Sequence, residues 1–150
     1  MQYFSRKKLI LPEGYFINSS QVPTAKDLNR LLVNCGCDSF PTQKISLAIK
    51  KSHFFFTIQN ELKNKLCGFV RVTSDRGLNA NLWNLSAEKG NNQNLFYSIL
   101  LKVTLEKITR EMPGCSISVQ APVSSFKSLE ESGFILDPNG IRVMLSLIHI

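Results

Sequence analysis

The sequence contains no apolar run of eighteen residues, so no stretch of it reads as a membrane-spanning helix. Near the start, Arg6 to Lys8 precede Leu9-Ile10-Leu11, but Pro12-Glu13-Gly14 ends that run well short of a secretory signal's hydrophobic region. The expectation is a soluble cytoplasmic protein without a membrane partner. Cysteine is sparse: Cys35, Cys37, Cys67 and Cys115 form a C-x-C pair and two singles, without the second knuckle of a zinc site. No metal ligand is assigned, and unpaired thiols suit a reducing compartment. Cys67 and Cys115 fall in apolar strands and read as small buried side chains. The histidines, His53 and His149, have no Cys, Ser or acid at a motif spacing, so neither marks a nucleophile-base pair.

A dense basic block is missing too. The net charge is +7, but apart from Arg6-Lys7-Lys8 and Lys50-Lys51 the basic residues are scattered. Nucleic-acid binding would rest on that net charge alone, which supplies attraction but no specificity. The run His53-Phe54-Phe55-Phe56 reads as a half-buried strand rather than a stacking platform for bases.

What is present is enough to fold. A chain of 150 residues, 43% hydrophobic and 19% charged, fits one domain (1–150) that buries about two-thirds of its unfolded surface. Residues 1–13 are expected to be irregular or extended. Thr24-Ala25-Lys26-Asp27 opens a helix with Leu28, Leu31 and Leu32 on one side, closing near Gly36. Thr42 to Lys51 predicts a second helix with Ile45, Leu47, Ala48 and Ile49 on a broad apolar side. His53 to Ile58 and Leu66 to Val72 predict a hairpin, and Asn79 to Leu85 a third strand. A long helix runs from about Leu95 to Glu111 and stops at Pro113-Gly114. Cys115 to Val119 predicts a buried strand, and Ser124 or Ser125 caps a short helix through Leu129 to Glu131. Phe134 to Leu136 and Ile141 to Leu147, joined through Asn139-Gly140, predict a closing hairpin. The fold class is α/β (α+β), a single domain with a curved, mostly antiparallel mixed sheet flanked by helices.

Three stretches, which together span about residues 14 to 147 in the family's order, resemble the GNAT N-acetyltransferase superfamily, particularly its small cyanobacterial and plastid members. The nearest is Gly68-Phe69-Val70-Arg71-Val72-Thr73-Ser74-Asp75 followed by Asn79-Ala80-Asn81-Leu82-Trp83-Asn84. The second is Ser132-Gly133-Phe134 with Asp137-Pro138-Asn139-Gly140-Ile141 and Met144. A third is Pro41, Lys44, Ala48, Lys51 and Ser52.

The resemblance implies acetyl-CoA as co-substrate and a primary amine as acceptor, the amine attacking the thioester directly. It places the donor along Leu85, Ser86 and Ala87 and over the segment Gly90, Asn92, Gln93, Asn94, Leu95, Phe96 and Tyr97, where a strand hands over to a helix N-terminus. In the family two small residues stand where this chain has Leu95 and Tyr97. The alternative for that segment is a helix start whose Leu95 and Tyr97 fill a partly closed cleft. The function that goes with it is a catalytically impaired interaction or regulatory protein.

The family's usual proton-donating tyrosine falls on Leu129, which cannot donate. Tyr97 is the candidate acid, with Ser128 as a weaker one, and Glu88 the candidate base. Asn84 and Asp75 are acceptor-side candidates, Asp75 having a turn cap as its alternative role. Arg71 is open between a structural ion pair and a ligand contact. The acceptor's identity and homodimerisation are left open.

Overall fold

The structure, a computed structural model, describes residues 9–137, 139–140 and 144–146. The Thr24 hydroxyl accepts a hydrogen bond from the Asp27 N–H at 3.1 Å and opens helix α1 (Ala25–Asn34), whose Leu28, Leu31 and Leu32 are all buried. Helix α2 (Thr42–Lys51) starts after Pro41 without a side-chain cap and buries only Ile45 and Ile49. Its apolar side is narrower than the sequence suggests, because Leu47 points outward and is 56% exposed.

Five strands follow the order β1 (Tyr15–Asn18), β2 (Phe54–Asn60), β3 (Lys65–Ser74), β4 (Asn79–Ala87) and β5 (Ser116–Val119). The first four pair antiparallel in sequence, and β5 joins β4 parallel after the crossover helix α3 (Gln93–Glu111). The side-chain period of two then sorts the sheet. Phe55, Leu66 and Phe69 face α1 and α2, while Phe54, Ile58, Val70, Val72, Leu82 and Leu85 face α3 and the short helix α4 (Phe126–Glu131). Gly68 lets α3 come close: a Cβ there would stand 3.2 Å from Ile58 and from Leu100.

Several expectations are corrected. Tyr15–Asn18, which lies outside every predicted element, is a strand paired to β2, although its burial does not alternate cleanly. The Cys115 to Val119 strand is not buried but half-exposed, and Cys115 precedes it, its thiol donating to the Gly77 carbonyl at 3.4 Å. No serine side chain caps α4: Ser125 Oγ turns back to the Pro122 carbonyl at 2.7 Å, within a 3-10 turn (Val123–Ser125). Helix α3 begins at Gln93, two residues ahead of the expected start. Phe134 to Leu136 is not a strand, and most of its expected partner, residues 141–143 and 147, lies outside the described residues. Among the described residues no helix is long and apolar enough to cross a membrane.

Candidate active site

Strand β4 pairs with β5 only as far as Leu82 opposite Val119. Beyond that point β4 continues through Trp83 to Ala87, while the chain after β5 turns away at Ala121-Pro122, so the sheet opens into a fork. A bulge sits at the point of parting. Phe69 pairs with Ser86 and Arg71 with Trp83, so Asn84 and Leu85 together oppose Val70, and Asn84 takes φ 54°. Asparagine tolerates that left-handed angle better than most residues.

The donor-side candidates divide. Leu85 is buried in the α3 side of the core, and Ser86 Oγ bonds the Asn84 carbonyl at 3.1 Å. The Ala87 carbonyl accepts from Gln93 Nε2 and from the Cys35 thiol, both at 2.9 Å. Gly90 stands at φ 148° in open space. Asn92 precedes α3 without a side-chain cap bond, and the Gln93 and Phe96 N–H groups go to the Gly90 and Asn92 carbonyls. The Asn94 and Leu95 N–H groups find no acceptor among the described residues. Asn94 lies inside the helix and does not cap it, its carbonyl accepting from Ser128 Oγ at 3.2 Å. Leu95 packs at the core's edge, and Phe96 is turned into the core against Tyr15, with ring centroids 5.0 Å apart.

Tyr97 enters the fork from α3 and is fully buried. Its hydroxyl shares a 2.8 Å hydrogen bond with Ser124 Oγ and lies beside the Cys35 thiol and the Ala87 carbonyl, linking the end of β4 to the chain beyond β5. Burial pushes its phenol up to about 12 and also raises the Cys35 thiol, so both stay protonated at neutral pH. Glu88 is ion-paired with Lys65 and lines a small cavity with Arg30, Leu31 and Asn34. No hydrogen bond joins Glu88 to Tyr97 among the described residues. Ser128 bonds Ser98 and the Asn94 carbonyl and does not reach Tyr97.

On the opposite face of the bulge, Arg71 Nε donates to Asn84 Oδ1 at 2.7 Å and Nη1 to Ser52 Oγ at 3.5 Å, with the guanidinium 5.8 Å from the Trp83 ring centroid. Arg71 makes no ion pair among the described residues, which speaks against the structural ion-pair alternative. Asp75 caps its turn: one oxygen accepts from the N–H groups of Gly77, Leu78 and Asn79, and these bonds hold its carboxyl below the usual range. Sequence reasoning missed Cys35 and Ser124, which carry no local signal because they lie 62 and 27 residues from Tyr97.

This architecture is shared. A Staphylococcus aureus probable acetyltransferase superposes with a TM-score of 0.78 at 18% identity, covering 88% of this chain and 98% of that one. The chain has the GNAT fold. Glucosamine-6-phosphate N-acetyltransferase from Arabidopsis thaliana shares the GNAT fold at a TM-score of 0.62 and 10% identity, over 90% of this chain and 99% of that one. No family model matches the chain. Its curated relatives nevertheless come from the GNAT group. An uncharacterized N-acetyltransferase, ycf52, from Porphyra purpurea is 27% identical over 91% of this chain and 79% of its own length. The chloroplastic GCN5-related N-acetyltransferase 2 of Arabidopsis thaliana is 26% identical over 79% of this chain and 52% of its own length.

Proposed function

We propose that the protein is an N-acetyltransferase that moves an acetyl group from acetyl-CoA to a primary amine in the fork between β4 and β5. The observation that carries this reading is the bulge at Asn84 placed where β4 leaves β5. A fork there offers an unpaired stretch of β4 to an extended donor arm, and the Asn94 and Leu95 N–H groups at the start of α3, without an acceptor among the described residues, suit its pyrophosphate.

The chemistry follows from the residues at hand. A neutral amine nitrogen bonds to the acetyl carbon as the carbon–sulfur bond breaks. Backbone N–H groups between Leu85 and Ala87 would stabilise the charge on the carbonyl oxygen. The Tyr97 hydroxyl would give its proton to the departing sulfur, and the proton released by the amine would return to the phenolate through solvent. Glu88 would take that amine proton only by giving up its ion pair with Lys65. The compartment we propose is the reducing cytoplasm, which suits four free thiols.

One observation favours a second reading. The Tyr97 ring fills the fork at Ala87 and is tied to Ser124, so the donor arm needs that ring displaced. If the ring stays, the protein is a non-enzymatic relative with a degenerate donor site. Calorimetric titration with acetyl-CoA and desulfo-CoA separates the two. Saturable heat with both is expected, and silence with both would discard the enzyme reading.

A further inference from the structure

We propose that the half-buried face of β3 and β4 beside the bulge, built on Arg71, is an anion subsite, and that the amine acceptor carries a phosphate or carboxylate group seated there. The word acceptor rests on the acetyltransferase reading; the subsite itself does not.

Arg71 and Trp83 are cross-strand neighbours on the face toward α1 and α2. Among the described residues only neutral oxygens hold the guanidinium there: Asn84 Oδ1 on Nε and Ser52 Oγ on Nη1. Nη2 makes no hydrogen bond to any described residue. A guanidinium stays charged under all ordinary conditions, and burying it without a counter-charge is unfavourable. All 11 Asp and Glu residues of the chain lie among the described residues, and none comes within ion-pairing distance of Arg71. Most basic side chains of the protein sit in water and need no partner, whereas burial here is deep enough to disfavour the charged form.

The missing counter-charge is therefore one that arrives with a ligand. With Nε fixed by Asn84 and the plane set against Trp83, the outer edge of the guanidinium presents unused N–H groups, which suit the paired oxygens of a carboxylate or phosphate. Position gives the anion a purpose. Arg71 is one hydrogen bond from the bulge residue at which the fork opens, so an anion on it would tether an attached amine beside the fork. The same cation repels an acceptor that is only positive, such as a diamine.

Trp83 is the chain's one tryptophan and serves as a local reporter. Its emission is followed at fixed ionic strength, without acetyl-CoA, while O-phosphoethanolamine, β-alanine, ethanolamine or putrescine is added. At least one anionic amine should shift it saturably, the tighter of the two naming the preferred group, and ethanolamine and putrescine should not. Arg71→Gln should weaken that binding at least tenfold, and Arg71→Lys should weaken it too, because an ammonium lacks the paired N–H edge. Arg71→Lys carries the test if Arg71→Gln does not fold. No saturable shift with either anionic amine, equal binding of ethanolamine, or unchanged affinity in Arg71→Lys would overturn the subsite. A positive result beside silent acetyl-CoA calorimetry would keep the subsite and discard the enzyme.

Discussion

Tyr97 stands where the resemblance calls for a small residue, and its ring takes up the fork at Ala87 while its hydroxyl meets Ser124. Ring and hydroxyl predict different mutant behaviour. Tyr97→Phe keeps the ring and removes the proton, so kcat should fall by about 10²–10⁴ in steady-state assays while acetyl-CoA affinity does not weaken. Tyr97→Ala opens the fork, so calorimetry should show tighter acetyl-CoA binding, at a cost of about 3–5 kcal/mol in denaturant unfolding for the lost aromatic packing. Weaker donor binding in Tyr97→Ala would mean that the ring supports the donor rather than blocking it. The other acids have plainer roles: Asp75 closes a turn, and Glu88 is spoken for by Lys65.

Among the elements, β3 and α3 depend on Gly68, whose missing side chain lets Leu100 and Ile58 meet over the strand. Gly68→Ala should lower unfolding free energy by about 1–3 kcal/mol through overpacking, measured by denaturant titration, because one of the atoms it would meet is Ile58 Cβ, which is fixed to the backbone and cannot swing aside as the Leu100 methyl can. The elements most legible in the sequence are those with strong local signals. Thr24 with Leu28, Leu31 and Leu32 specified α1, and the aromatic and branched runs specified β2 and β3. Strand β1 was missed because four residues with one strong face give little periodicity, and its existence depends on the exposed edge of β2. The burial of β5 was misjudged for the same reason: alternation reports that a strand has two faces, not how well its sheet edge is covered.

Over the whole molecule, alkaline pH should be the sensitive side. Burial raises the Cys67 thiol from 9.0 to about 11 and the Tyr97 phenol from 10.0 to about 12. Each group keeps its proton in the folded state after the unfolded chain has lost it, so its contribution to stability is complete below the unfolded value and disappears as pH rises through the folded one. Denaturation midpoints should therefore fall between about pH 9 and 12, and Tyr97→Phe should lessen the fall above pH 10.0. By itself the sequence determined the helix and strand alternation, the strand-to-helix handover before α3, and the two large side chains within it, because period, capping and turn chemistry act over a few residues. Only the tertiary structure decided that β4 leaves β5 beside a bulge, that Cys35, Ala87 and Ser124 meet Tyr97 in the fork, and that Arg71 lies half-buried without an Asp or Glu carboxylate beside it. Those facts depend on where distant segments stop pairing and which charges burial leaves alone, and no local pattern encodes either.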